Sequence, residues 1–321
     1  MKMKGFRYAK KSITRICRPL FRLWRNKRAQ KTSDRQIESA AHLSPDHGLS
    51  LSIMSFNIRR GTAKDGRNHW VYRSSRVNEI LTRYRPDVLG LQEALDFQIS
   101  EIRKMLPGYE MIGTGNLGES KGLHNAIFYD AERFIPSAEG TFWFSDTPHI
   151  PGSRGWGNII PRICTWARFI EKSSQQTFYF YNIHLDHISV AARKKSVIAL
   201  TRHIHHRPFP DPFVLTGDFN AVERSLPIRY LKGKSCLRIK KQGNLLNPEP
   251  LMDTFREQYP SNRNVVTFHG FRRFFFRFKL DYIFVSPSVI VQDAKIIQLR
   301  WKKCYPSDHF PLVSHIHLNP S

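Results

Sequence analysis

The chain has 321 residues, 40% hydrophobic and 24% charged, which excludes wholesale disorder and fits one large domain plus a tail. Fifty-one Lys and Arg against 26 Asp and Glu give a net charge of +25, so the expected partner is anionic: nucleic acid, an acidic membrane surface or a phosphorylated ligand. Four widely spaced cysteines (Cys17, Cys164, Cys236, Cys304) exclude a dense disulfide framework and a zinc spacing, and no run reaches the ~20 apolar residues of a membrane span.

Residues 1–36 hold 13 basic residues and one acid, so +12 of the charge lies there. Ile13, Ile16, Cys17, Leu20, Phe21 and Trp24 follow helical spacing, with Arg15, Arg18, Arg22 and Arg25 on the other face. Such a basic amphipathic stretch suits an anionic membrane surface or a targeting receptor, and its contact segment would be residues 1–31. Pro19 argues against one continuous helix, and the arginines interrupt any secretory apolar core. Residues 32–50, rich in Ser, Asp, Gln and His, read as a linker. The expected division is therefore a tail over 1–48 and a folded domain over 49–321, monomeric, and cytoplasmic or peripheral at a membrane.

From Leu51 strands and helices alternate. Leu51–Asn57 reads as a strand, Arg73–Tyr84 as an amphipathic helix and Val88–Gln92 as a buried strand after the Pro86 break. Further strands are expected at Ala126–Tyr129, Cys164–Glu171, Thr177–His184, Phe213–Thr216, Tyr282–Ser286 and Leu312–His317, with a helix over Val190–His206. Several strands follow one another without a helix between them, which favours a mixed sheet or two packed sheets over a purely parallel one. Residues 137–162 and 225–280, rich in Gly, Pro and aromatics, read as long loops over one rim.

Gly113-Thr-Gly115-Asn-Leu-Gly118 matches a dinucleotide-binding pattern, but Gly122 and the next strand follow where a helix is required, so a turn is the simpler reading. The informative residues stand at strand ends. Asn57 closes one hydrophobic strand, and Glu93 follows another at Gln92-Glu93. His184 and Asp186 share a strand face, as do Asp218 and Asn220 in Gly217-Asp-Phe-Asn220. Asp281 enters a strand, and Ser307-Asp308-His309 precedes the last one. Singly, each is an ordinary turn-maker or structural histidine. Six together, each at the end of a β-type run, fit one chemistry: hard oxygen ligands for Mg2+ or Mn2+, amides to orient phosphate and water, and imidazoles to move protons.

In order, these residues resemble the motifs of the endonuclease/exonuclease/phosphatase superfamily, the DNase I-like enzymes, over about residues 50–319. The segments Phe142–Ser145, Pro161–Phe169 and Thr267–Phe271 resemble a bacterial, deadenylase-like branch. The resemblance implies an α/β (α+β) four-layer sandwich of two packed mixed β-sheets flanked by helices. It implies Glu93 as the main metal ligand, helped by Asn57 and Asp308. Asp218 would orient or deprotonate the attacking water, Asn220 would hold the scissile phosphate, and His309, paired with Asp281, would stabilise or protonate at the phosphoryl centre. His184 stands where apurinic endonucleases carry a tyrosine.

Arg162, Arg168 and Arg193 are candidate phosphate or substrate clamps, and His187 and His269 are similar cases; solvated structural roles compete for each. The run Phe271–Lys279 interleaves aromatics and cations as base-stacking surfaces do, or as a basic hairpin with buried phenylalanines does. Three functions follow. A nuclease-type phosphodiesterase is favoured by the basic charge, and a phosphatase or phospholipase-type hydrolase is kept open by the tail. An inactive basic binding module is disfavoured because every catalytic position is filled.

Overall fold

The structure, a computed structural model, describes residues 48–239, 243–272, 277–299 and 304–319. The amphipathic tail and most of the linker lie outside them, as does the centre of the Phe271–Lys279 run. The elements in chain order are β1 (Leu49–Asn57), α1 (Trp70–Tyr84), β2 (Val88–Gln92), α2 (Asp96–Met105), β3 (Tyr109–Ile112), β4 (Ile127–Asp130) and β5 (Phe134–Trp143). Next come β6 (Ile163–Glu171), β7 (Thr177–His184), α3 (Val190–His205), β8 (Phe213–Asp218), α4 (Leu226–Leu231), β9 (Leu237–Ile239) and β10 (Gly243–Leu245). The chain closes with β11 (Met252–Asp253), α5 (Thr254–Gln258), β12 (Asp281–Val285), β13 (Val289–Ile296) and β14 (Leu312–Leu318).

Two six-stranded sheets carry the fold, in the orders β13-β14-β1-β2-β4-β3 and β11-β12-β8-β7-β6-β5. Among the described residues only β1–β2 and β7–β8 pair in parallel, so both sheets are mixed. Three apolar clusters make the layers. Ile53, Val88, Phe178, Phe180, Val214 and Ile283 fill the space between the sheets. Val77, Ile80, Leu81, Ile99 and Ile102 bury α1 and α2 against Met54, Phe56, Leu89 and Leu91. Val197, Leu200, Ile204, Tyr230 and Leu231 bury α3 and α4 against Tyr181, Ile183 and Leu215. The result is the helix–sheet–sheet–helix sandwich expected for a DNase I-like chain, because each central strand is apolar on both faces and must be covered twice.

Three expectations need amending. The helix α1 begins at Trp70 and not Arg73, since Trp70 starts the buried stripe that Val77, Ile80 and Leu81 continue. Residues 137–143 form most of β5 and are not loop. This strand lies at a sheet edge, so it lacks a double apolar face, and Pro136 sits beside a register shift where an edge tolerates it. Residues 225–280 hold α4, β9 to β11 and α5, elements of two to six residues, too short for a readable period. Gly115 to Gly118 close a turn, with the Gly118 N–H on the Gly115 carbonyl at 2.8 Å, and no helix follows Gly118, as expected.

The sheets approach closely at Gly90. A Cβ there would lie 2.2 Å from Thr216 Oγ1 and 2.8 Å from Asn182 Oδ1, both across the interface. Gly90→Ala is therefore expected to destabilise the fold by about 1–3 kcal/mol through overpacking. Urea denaturation of both chains measures it, and equal midpoints would show that the interface has slack.

Candidate active site

The strand register brings the acidic residues together. His184, at the end of β7, pairs with Asp218 at the end of β8, and Asp218 pairs with Asp281 at the start of β12. Three adjacent strands thus present His184, Asp218 and Asp281 in one row. β1 and β2 of the other sheet end beside them with Asn57 and Gln92. Gly217 lets β8 lie this close to β7, because a Cβ there would fall 2.2 Å from the Ile183 carbonyl.

Asp218 Oδ2 is the hub. It accepts a hydrogen bond from Asn57 Nδ2 at 3.0 Å and lies 3.5 Å from His184 Nε2 and 3.6 Å from His309 Nε2. Its other oxygen accepts the Asn220 backbone N–H at 2.9 Å. His309 Nδ1 is 2.8 Å from Asp281 Oδ2, and the Phe268 ring leans on the imidazole at 4.9 Å. Asn220 Nδ2 donates to the Leu185 carbonyl at 3.0 Å and lies 3.0 Å from His184 Nε2. Glu93 sits at φ 63, a left-handed turn directly after β2. Its Oε1 meets Asn57 Nδ2 at 3.3 Å and its Oε2 accepts the Arg60 N–H at 3.1 Å. Asp308 accepts from Ser307 Oγ at 3.2 Å and lies 3.7 Å from Arg59 Nε.

Burial and charge divide the titratable groups. Burial disfavours a charged His309, yet Asp281 and Asp218 outweigh it and push the imidazole up to about 10. Burial raises Asp218, partly offset by His309. Burial, reinforced by Arg162, holds His184 well below the usual histidine range, so it is neutral. The proton of this cluster therefore belongs on His309.

Two donor sets are candidates for a cation. Asp218, Asp281 and His309 offer ligand atoms within 4.8 Å of one another, and Asp281 Oδ1 is buried without a hydrogen-bond partner. As described, however, this set is closed by a protonated imidazole, which is no ligand. Glu93 and Asp308 supply hard carboxylate oxygens on the cavity wall, a better match for a small divalent cation. Asn57 turns its amide nitrogen toward Glu93 and Asp218, while its Oδ1 accepts the Arg59 N–H at 3.0 Å. In this orientation it braces two carboxylates instead of offering an oxygen.

A cavity of about 270 Å³ opens over these groups, lined among others by Arg59, Arg60, Arg162, His187 and Phe268. Arg162 is buried in its wall, 2.8 Å from His187 Nδ1, and its Nε forms an ion pair with Asp186 Oδ2 at 3.5 Å without a hydrogen bond. Arg193 stands outside, donating to the Asp186 carbonyl at 2.7 Å and lining the neighbouring cavity. Arg168 pairs with Asp211 at 2.7 Å and stacks on Phe209, a structural arrangement away from the cavity. His269 is buried between Tyr305 and Phe310, also off the cavity wall. Reading the sequence overlooked Arg60 and Phe268 as wall residues. Arg60 carried a signal, its place just past the strand end at Asn57.

A family model described as the Endonuclease/Exonuclease/phosphatase family matches residues 54–309. The chain is similar to an endonuclease/exonuclease/phosphatase from Bacteroides vulgatus, 30% identical, with a TM-score of 0.75, covering 84% of this chain and 99% of that one. It is also similar to a mannosyl-6-phosphatase from Bacteroides thetaiotaomicron, 30% identical, with a TM-score of 0.71, covering 83% and 99%. An uncharacterized protein of Acanthamoeba polyphaga mimivirus is 27% identical over 262 residues, 76% of this chain and 97% of that protein.

The His309 proton gives a prediction. A histidine raised from 6.5 in the unfolded chain to about 10 in the folded one stabilises the fold fully below pH 6.5, and that contribution disappears as pH rises through about 10. Ring-nitrogen NMR of the metal-free protein should find His309 still doubly protonated at pH 8, and Asp281→Asn should bring its titration back toward 6.5. A wild-type His309 that titrates near 6.5 would show that the two carboxylates do not hold the proton.

Proposed function

The chain belongs to the endonuclease/exonuclease/phosphatase family, metal-dependent phosphoesterases, and on that footing we propose a nuclease-type phosphodiesterase that uses Mg2+ or Mn2+. Glu93 and Asp308 hold the cation. When bound, it neutralises charge developing on the phosphoryl oxygens. Asp218, raised by burial and fixed by Asn57 and the Asn220 N–H, orients the attacking water and accepts its proton. Protonated His309, anchored by Asp281, faces the same point and stabilises or protonates the departing oxygen. Asn220 and neutral His184 supply neutral polar groups to the phosphate, and Arg162 clamps it from the wall.

The observation that carries the substrate reading is a basic path leading out of the cavity. A second cavity shares Asn220 and Leu280 with the first and adds Arg193, Lys194 and the half-exposed Phe278. A third shares Val222 and Phe278 and adds Arg224, Arg263 and Arg277. A fourth shares Arg224 and adds Lys232 and Lys234. Among the described residues Lys194, Arg224, Lys232, Lys234, Arg263 and Arg277 form no ion pair, whereas Glu223 and Asp253 along the path are already taken by Arg256 and Lys279. Unpaired cations with an exposed ring between them suit successive phosphates and a stacked base of a single strand. A second reading, a phosphatase acting on a small phosphate ester, is favoured by the 30% identity to a mannosyl-6-phosphatase and by the small cavity.

Two predictions test these roles. Glu93→Gln and Asp218→Asn should each lower kcat by ~10²-fold or more at unchanged thermal stability, and chelator should abolish wild-type turnover. Full turnover in either variant would remove that residue from the mechanism. With Mg2+ or Mn2+ and a panel of single- and double-stranded DNA, RNA, inositol phosphates, sugar phosphates and sphingomyelin, a single-stranded polynucleotide should be the best substrate. Its binding should fall with salt at a log–log slope of about −0.7 per phosphate neutralised. In Arg224→Glu/Arg277→Glu its KM should rise about tenfold. A flat salt response with preferred turnover of a sugar phosphate would decide for the second reading.

A further inference from the structure

One buried cation lies outside every role assigned so far. Arg73 belongs to the inward face of α1, where Trp70, Val77, Ile80 and Leu81 are its apolar neighbours, and it is only 1% exposed. Fully burying a guanidinium costs several kcal/mol unless its donors are satisfied, so a chain keeps one there only for what it holds. Arg73 holds four carbonyls. Nε donates to Asn68 at 2.9 Å, Nη2 to Arg59 at 2.7 Å, and Nη1 to both Ile58 at 2.5 Å and Pro306 at 3.0 Å. No carboxylate touches it among the described residues.

Those acceptors sit beside the proposed cation ligands. Ile58 and Arg59 directly follow Asn57, and the next N–H, of Arg60, binds Glu93. Pro306 is two residues before Asp308. The bond that Nη1 makes to Pro306 spans 233 residues of sequence and ties the two segments that flank the metal position. Two parallel ties join them among the described residues: Ser307 Oγ donates to the Asn57 carbonyl at 2.7 Å, and Arg59 Nε lies 3.7 Å from Asp308 Oδ2. The guanidinium also places a positive charge behind Glu93 and Asp308 without pairing with either, which offsets the repulsion between two carboxylates that must converge on one cation.

We infer that Arg73 is a positioning residue for the metal site: its fork sets the spacing of the Asn57–Arg60 and Pro306–Asp308 segments, and thereby the spacing of Glu93 and Asp308. The inference rests on the assignment of the cation to Glu93 and Asp308. A lysine keeps the charge but has a single nitrogen, which cannot span carbonyls on both sides as the planar fork does. A methionine fills the space and loses both charge and donors.

The test is a titration of metal-free full-length protein with Mn2+, read from the electron paramagnetic resonance signal of free Mn2+, for wild type, Arg73→Lys and Arg73→Met. Thermal melting and kinetics on a small chromogenic phosphodiester accompany it. Arg73→Lys should weaken Mn2+ binding about tenfold, within the ~10–100-fold range usual for groups that orient metal ligands, and Arg73→Met should weaken it further. The KM for the ester should stay unchanged, and kcat at saturating Mn2+ should recover more fully in the lysine variant. If Arg73→Met does not fold, Ser307→Ala, which removes the parallel hydrogen bond, should by itself weaken Mn2+ binding, and more so in the Arg73→Lys background. Folded variants that bind Mn2+ as tightly as wild type would overturn the inference. A wild-type chain that binds no Mn2+ would instead overturn the metal assignment beneath it.

Discussion

The structure depends on one buried amide. Asn182 of β7 is wholly inaccessible and has all four of its hydrogen-bonding positions filled, three of them across the gap between the sheets and one to the neighbouring strand β8. Its Nδ2 donates to the Leu91 and Ala126 carbonyls at 2.8 and 2.9 Å. Its Oδ1 accepts from Gln92 Nε2 at 2.7 Å and Thr216 Oγ1 at 3.1 Å. An apolar contact between sheets tolerates sliding, whereas a saturated amide tolerates one register. Gly90 beside it, without a Cβ, lets the sheets come close enough for these bonds to form.

The consequence appears two residues further along each strand. β7 runs from Asn182 to His184, β8 from Thr216 to Asp218, and β2 ends at Gln92 with Glu93 just beyond. Because the registers are pinned at Asn182, these three ends emerge at one edge, and Asn57 Nδ2 can reach Asp218 in the other sheet at 3.0 Å. The pin is structural and the hub one step outward is chemical; both use the same cross-sheet geometry.

The charged groups differ by place. At the site, Asp281 Oδ1 is buried without a hydrogen-bond partner while its other oxygen anchors His309. An orphaned buried polar atom costs free energy that a partner would remove. In the Asp253–Lys279–Glu223–Arg256 cluster every charge instead has a counter-charge. Within the cavity, cations and carboxylates face one another, while along the path beyond it Lys194, Arg224, Lys232, Lys234, Arg263 and Arg277 form no ion pair among the described residues.

What was legible in the sequence was whatever local chemistry dictates. Double-sided apolar runs such as Val88–Gln92 and Thr177–His184 announced central strands to the residue, and the polar residue closing each run marked the candidate site. Edge strand β5 reads as loop from residue 137 on, because an edge needs no double apolar face and Gly140 interrupts the pattern. Arg73 looked like the polar start of an amphipathic helix, since spacing cannot tell a solvated arginine from one folded inward onto carbonyls 233 residues away. Arg162 and Arg168, six residues apart on and beside one strand, were equivalent candidates until the sheet turned one into the cavity and the other toward Asp211. The sequence by itself determined the strands, the layered class and the kinds of residue available for chemistry, because these follow from hydrophobic periodicity and side-chain type. Only the tertiary structure decided which oxygen meets which imidazole, where the proton rests and which arginines stay unpaired, because those depend on distances of a few ångströms between residues up to 250 positions apart.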